Sequence, residues 1–187
     1  MRKSSIAWII AGVLVVILIL SSVSAYNGMV TAQTNVDKQF SQIENTLQRR
    51  ADLIPNLVNT VKGYAAHEKE VLQSIADARS KLVGANTPAQ MAAADSELSS
   101  ALSRLLVVVE NYPDLKADKE FTRLMDELSG TENRIAVARK DYNDAVEQYN
   151  LKIRRFPGSL FASMFGFAPR DFFKSQPGAE KVPEVKF

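Results

Sequence analysis

The sequence predicts an all-α protein, with an N-terminal transmembrane helix followed by an antiparallel up-and-down four-helix bundle. Three observations carry that prediction. Residues 4–36 hold no charged side chain. Glycine is scarce between Gly28 and Gly158. Beyond the apolar run, apolar residues recur at three- and four-residue spacing, and no strand-like alternation is sustained.

The first element is a membrane span, assigned to residues 1–25. Ile6 to Leu20 is apolar throughout, with Gly12 its only member that is neither aliphatic nor aromatic. About 20 such residues cross a ~30 Å hydrocarbon core. Trp8 and Tyr26 bracket the run, ~27 Å apart along a helix, where amphipathic rings meet the two headgroup layers. Ile6, Trp8, Leu14, Leu20 and Tyr26 are therefore the anchor residues. A cleaved signal peptide is the competing reading, with Arg2 and Lys3 as its charged start and Val23-Ser24-Ala25 as its cleavage site. The helical pattern resumes directly after Ala25 with no linker, which favours a retained anchor. Arg2 and Lys3 precede the span, whereas the first charges after it, Asp37 and Lys38, cancel. The positive-inside rule then keeps the N-terminus in the cytoplasm and places the bundle outside it, in a single-pass protein of the cell membrane.

Four apolar stripes define the bundle, residues 26–156. They run Met29, Val36, Phe40, Ile43, Leu47; then Ile54, Leu57, Val61, Tyr64, Val71, Ile75, Ala78, Leu82; then Met91, Leu98, Leu102, Leu105, Val109; then Phe121 through Leu124, Leu128, Ile135 and Tyr142 to Ile153. Coiled-coil-like helices packed at shallow angles require this spacing. The breaks set the helices near 26–51, 53–83, 88–111 and 115–155. Thr87 caps the third, with Pro88 in its first position. Pro113 disfavours helix at Tyr112. At the first boundary a reversal between Arg50 and Pro55 is expected, with Asp52 as cap. The heptad phase nevertheless runs unbroken through Arg50 to Leu57, which also suits one long kinked helix.

Composition narrows the chemistry. A net charge of +2 gives no electrostatic footprint for nucleic acid. The chain has no cysteine and a single histidine, His67. His67-Glu68 starts like a zinc-protease motif, but Val71 stands where the second histidine belongs. Glu44, Glu68, Glu110 and Glu132 lack the histidine three residues on that a di-iron bundle uses. No Gly-x-Ser-x-Gly elbow is present. These missing constellations predict no catalytic residues, no metal and no cofactor.

Polar residues on or beside the stripes point instead to a structural network. Asn56, Asn59, Asn133, Asn143 and Asn150 are candidates to fix helix register, and Arg49 or Arg50 is expected to face an acid such as Asp52 or Glu132. A ligand pocket in the bundle core is the alternative.

The block Arg49-Arg50-Ala51-Asp52-Leu53-Ile54-Pro55-Asn56-Leu57-Val58, continuing to His67-Glu68, resembles the signature of the LemA family. Thr131-Glu132-Asn133-Arg134-Ile135-Ala136, Ala138-Arg139, Tyr142-Asn143, Tyr149-Asn150 and Phe156-Pro157 extend the match, as do Tyr112-Pro113 and Tyr26-Asn27. The resemblance covers nearly the whole chain. Residues 28–48 follow the pattern loosely, and the stretch after Phe173 departs from it. It implies a bacterial single-pass envelope protein with a helical-bundle domain and no established enzymatic activity. Some members are implicated in shaping internal membranes, and others resemble neighbours of membrane metalloproteases. On this basis Arg49, Arg50, Asp52, Asn56, Glu132, Asn133, Arg139, Asn143 and Asn150 are assigned to a family-motif polar network.

Two segments follow the bundle. Residues 157–173 are crowded with large apolar groups. Leu160, Phe161, Met164, Phe165 and Phe167 are expected at the membrane interface, against a neighbouring subunit or on the bundle itself. Residues 174–187, with Pro177, Gly178 and Pro183 among charges, read as a disordered tail. The expected function is an envelope scaffold that is not an enzyme. Its partners are the lipid bilayer, further copies of itself as a homo-oligomer, or another membrane protein such as a membrane protease. The alternative is a lipid- or small-ligand-binding envelope sensor.

Overall fold

The computed structural model describes residues 2–174, with side chains described from Trp8 onward. Every regular element among them is helical: α1 Arg2–Tyr64, α2 Lys69–Gly84, α3 Pro88–Val109, α4 Pro113–Lys116, α5 Lys119–Arg154 and α6 Gly158–Phe165. The described chain divides into two compact units. One comprises residues 2–39 and 143–171, the other residues 40–142 and 172–174.

The second unit is the four-helix bundle, made of residues 40–64 of α1, α2, α3 and residues 119–142 of α5. Each helix buries one stripe. Ile43, Leu47, Ile54, Leu57 and Val61 come from α1, and Leu72, Ile75, Ala78 and Leu82 from α2. Leu98, Leu102, Leu105 and Val109 come from α3, and Phe121, Leu124, Leu128, Ile135 and Tyr142 from α5. Each fully buried aliphatic side chain contributes about 1.5–3 kcal/mol. Register follows from two α1–α5 pairs: Tyr64 bonds Asp118 at 2.9 Å and Arg50 bonds Glu132 at 3.1 Å. The residue number falls along α1 by as much as it rises toward α5, so the helices run antiparallel.

The turns are chemically explicit. Thr87 accepts a hydrogen bond from Gln90 N–H, and Pro88 opens α3, as the sequence predicts. Asp118 caps α5 by accepting from Phe121 N–H at 2.8 Å. The break at Tyr112-Pro113 holds a single extra turn, α4, before the last long helix begins.

The expected reversal between Arg50 and Pro55 is not observed. Helix α1 passes through Pro55 and ends at Tyr64, and the chain turns at residues 65–68. The helices expected near 26–51 and 53–83 are thus replaced by α1 and α2. Proline removes the bond that Ala51 C=O would accept. Here the Arg79 Nε–H of α2 donates to that oxygen at 2.9 Å. A buried carbonyl that finds another partner removes the main penalty for continuing. His67 is exposed in the new turn, consistent with a solvated side chain.

The first unit contains residues 2–39 of α1, residues 143–154 of α5, α6 and the extended stretch after it. From Trp8 to Leu20 the large apolar side chains are exposed all around α1. From Met29 onward α1 buries one face, and Met29 and Val36 join Val146, Tyr149, Ile153 and Phe161 in the core. Gly158 lets α6 start close to the last turn of α5, because a Cβ there would collide with the Lys152 carbonyl oxygen. Gly166 ends α6 in the left-handed region, φ 76°. The Phe167 N–H then returns to Ala162 C=O at 2.9 Å, closing the helix end as Schellman caps do. The tail expected over 174–187 lies, apart from Lys174, outside the described residues.

Candidate functional site

Two constellations stand out, one in each unit. In the bundle, Arg50 occupies a core position between Leu47 and Ile54, with only 1% of its surface exposed. Its Nη1 donates to Asp95 of α3 at 2.6 Å. Its Nη2 donates to Ser99 of α3 at 3.0 Å and to Glu132 of α5 at 3.1 Å. Its Nε is buried with no partner among the described residues. Burial pushes the Asp95 carboxyl above the ordinary carboxylate range, and the Arg50 guanidinium opposes that push. Glu132 is 61% exposed, so the cluster runs from dry core to solvent. A planar guanidinium held by three acceptors on two other helices fixes the register of those helices.

The structure thus brings together two of the nine network residues, Arg50 and Glu132. Asp95 and Ser99 complete the cluster and are not expected from the sequence. Asp95 does carry a readable signal, since it falls in the stripe Met91, Asp95, Leu98, Leu102. Arg139 also bears on the cluster, since its charge opposes the rise at Asp95, and the remaining residues lie elsewhere. Arg49 is exposed and reaches Glu127 at 3.4 Å. Asp52 accepts from Gln48 on its own helix, not from an arginine. Asn56, Asn59 and Asn133 are exposed, contrary to the register role expected of them, because each sits off its helix's buried stripe. Asn143 is half-buried. Arg139 lies over the Phe173 ring, 4.9 Å from its centroid.

Near the bundle's turns, Tyr64 donates to Asp118 and Tyr112 donates to Glu68 at 2.8 Å. These bonds to carboxylates raise both phenols, and the Phe121 N–H and Tyr64 hydroxyl hold Asp118 below its ordinary value. An open groove of about 630 Å³ is lined by Arg49, Arg123, Arg134, Asp126 and Glu127. Arg123 in it is already paired with Glu120 and Glu127.

In the other unit, Asn150 is buried and grips the backbone of Arg170 twice. Its Nδ2 donates to the carbonyl, and its Oδ1 accepts from the N–H, both at 2.9 Å. Tyr149 donates to Ala168 C=O at 2.9 Å. These bonds fold the stretch after α6 back along the unit, where Arg170 pairs with Asp37 at 3.2 Å. Tyr26 then receives two aromatic neighbours edge-on, Phe165 at 5.1 Å and Phe167 at 5.8 Å. Of the segment's other apolar residues, Phe161 is core, whereas Leu160 and Met164 face solvent. Of the anchor residues, Trp8, Leu14, Leu20 and Tyr26 are exposed on α1, and the Ile6 side chain lies outside the described residues.

Comparison with known proteins places these features in a family context. The sequence profile of the LemA family matches residues 39–187. The chain is similar to magnetosome protein MamQ 2 of Paramagnetospirillum magneticum, 28% identical over 192 residues, covering 89% of this chain and 71% of the relative. It is similar to magnetosome protein MamQ of Magnetospirillum gryphiswaldense, 26% identical, covering 83% and 66%. It is also similar to protein LemA of Metamycoplasma hominis, 29% identical, covering 70% and 60%.

Proposed function

The chain belongs to the LemA family, and from that premise we propose a single-pass envelope scaffold whose bundle acts by self-association or by binding another membrane protein, without catalysis. The observation that carries this reading is α1. Its N-terminal part exposes Trp8, Leu14, Ile17, Leu20 and Val23 around the whole helix, and the same helix continues into the bundle as far as Tyr64. A fully apolar cylinder is an aggregation liability in water and a good solute in a bilayer. The Arg50 cluster supports the rest of the reading. Its charges answer one another across three helices and serve bundle geometry. The similarity to magnetosome proteins supports a membrane-associated, non-enzymatic part. Arg2 and Lys3 before the span favour a cytoplasmic N-terminus and a bundle outside the cytoplasm.

Crosslinking in intact membranes, read by mass spectrometry, tests the proposal. The expected result is a carbonate-resistant chain linked through bundle residues to a second copy or to one membrane protein. A chain released by carbonate, or one that yields only internal crosslinks, overturns it.

A further inference from the structure

We propose that α6 and its approach form a second membrane contact, an interfacial foot that rests on anionic headgroups beside the point where α1 leaves the bilayer. The inference rests on α1 being the anchor and adds a site to it. The level of the foot is set by Tyr26. That ring lies ~27 Å along the helix from Trp8, at the headgroup layer opposite to it. Phe165 and Phe167 pack on Tyr26 at 5.1 and 5.8 Å. Lys152 donates to Gly28 C=O at 2.9 Å, and the last turn of α5 is thereby held ~3 Å further along α1. Helix α6 is therefore fixed to the exit of the span.

At that level the surface is apolar. Leu160 and Met164, four residues apart on α6, are 58% and 72% exposed, and Phe156 in the turn before it is 80% exposed. Phe161 and Ala162 cover the opposite, buried side of α6. Cations accompany the apolar face. Arg154 and Arg155 are exposed and have no acidic partner among the described residues. Apolar side chains continuous with a lipid-facing helix, bordered by unpaired arginines, match an interface of acyl chains below and phosphates above. Each cation near an anionic surface strengthens such a contact roughly fivefold. Arg170 takes no part, because it is paired with Asp37 further up α1.

The chain has no cysteine and one tryptophan, so both reporters are clean. Leu160→Cys and Met164→Cys each carry one fluorophore in the full-length protein, reconstituted in phosphatidylcholine nanodiscs with or without phosphatidylglycerol. Asn35→Cys, nine residues beyond Tyr26 on α1, is the control. Trp8 quenching by brominated lipid reports insertion of the anchor separately. An interfacial face sinks ~5–10 Å, so a nitroxide near the headgroup should quench the Leu160 and Met164 labels about threefold or more above the control. Phosphatidylglycerol should strengthen that quenching, and Arg154→Gln with Arg155→Gln should abolish the dependence on it. If Trp8 is quenched by lipid while the α6 labels stay open to aqueous iodide, the foot is refuted and the anchor stands. If labels on two copies show energy transfer and lipid does not reach them, a second copy covers α6 and the proposal fails. If Trp8 itself is not quenched, anchor and foot fall together.

Discussion

Residues 8–23 and 40–61 of α1 draw on the same aliphatic side chains and display them in opposite ways. In the first stretch Leu14, Val15, Val16, Ile17, Leu18 and Ile19 follow one another and all are exposed. In the second, Ile43, Leu47, Ile54, Leu57 and Val61 stand three, four or seven apart and all are buried. Ser41, Glu44, Gln48 and Asp52 in the same stretch solvate the outer face. One helix is thus written for two solvents. Continuous apolarity asks for lipid on every side, and periodic apolarity asks for other helices on one side. The second stretch also tolerates a charge in its stripe, Arg50, because α3 and α5 supply acceptors. Among the described residues no helix packs on the first to do so.

Breaking the buried stripe should have the largest effect. Arg50→Met leaves Asp95 buried without its cation and should cost about 3–5 kcal/mol, read as a lower urea midpoint of the bundle in mild detergent. Adding Asp95→Leu should return most of that loss, since two apolar groups need no pairing. Full destabilisation in the double variant would mean that the ion pair itself drives stability.

A charge in the exposed stretch tests the other half of the comparison. Val15→Arg should cost about 2.5–3.5 kcal/mol of insertion and lower the membrane-bound fraction, with the bundle's urea midpoint unchanged. Leu57→Ala should do the reverse, weakening the bundle by about 2–5 kcal/mol with fractionation intact. If both variants changed both readouts, the two stretches would not be independent.

Smaller effects sharpen the boundary. Arg79→Ala orphans Ala51 C=O and should cost about 1–3 kcal/mol, with faster amide exchange around Pro55. Pro55→Ala in the same chain should restore the helix bond and recover the loss. The smallest effect concerns pH. The Asp118 carboxyl is held below its ordinary value by the Phe121 N–H and the Tyr64 hydroxyl. Its contribution is therefore present above the unfolded carboxylate range and is lost as pH falls through the lowered folded value. Asp118→Asn should flatten that acid limb of the urea midpoint.

The sequence made the stripes, the Thr87–Pro88 start and the apolar span readable because each is local, confined to a few neighbours along the chain. It misplaced the first turn for the opposite reason. Pro55 reads as a break until the donor for Ala51 is known, and that donor, Arg79, sits on the next helix. Asn56 and Asn133 resembled register residues by type, but neither keeps three- or four-residue spacing with its buried stripe, Ile54, Leu57 and Val61 or Leu128, Thr131 and Ile135, and both are exposed. Asn150 keeps stripe spacing with Val146 and Ile153, and it is buried. Position within the period separated these asparagines better than residue type did.

The Arg79–Ala51 bond also gives α1 a history. A ribosome delivers Pro55 before it delivers Arg79, so at first the nascent helix has an unfilled carbonyl where the proline interrupts it. The segment from Ala51 to Tyr64 gains its missing bond only when α2 folds back. Completing the longest helix in the molecule is therefore a late event, coupled to hairpin closure. Amide exchange at Pro55's neighbours would serve as a clock for assembly of the bundle.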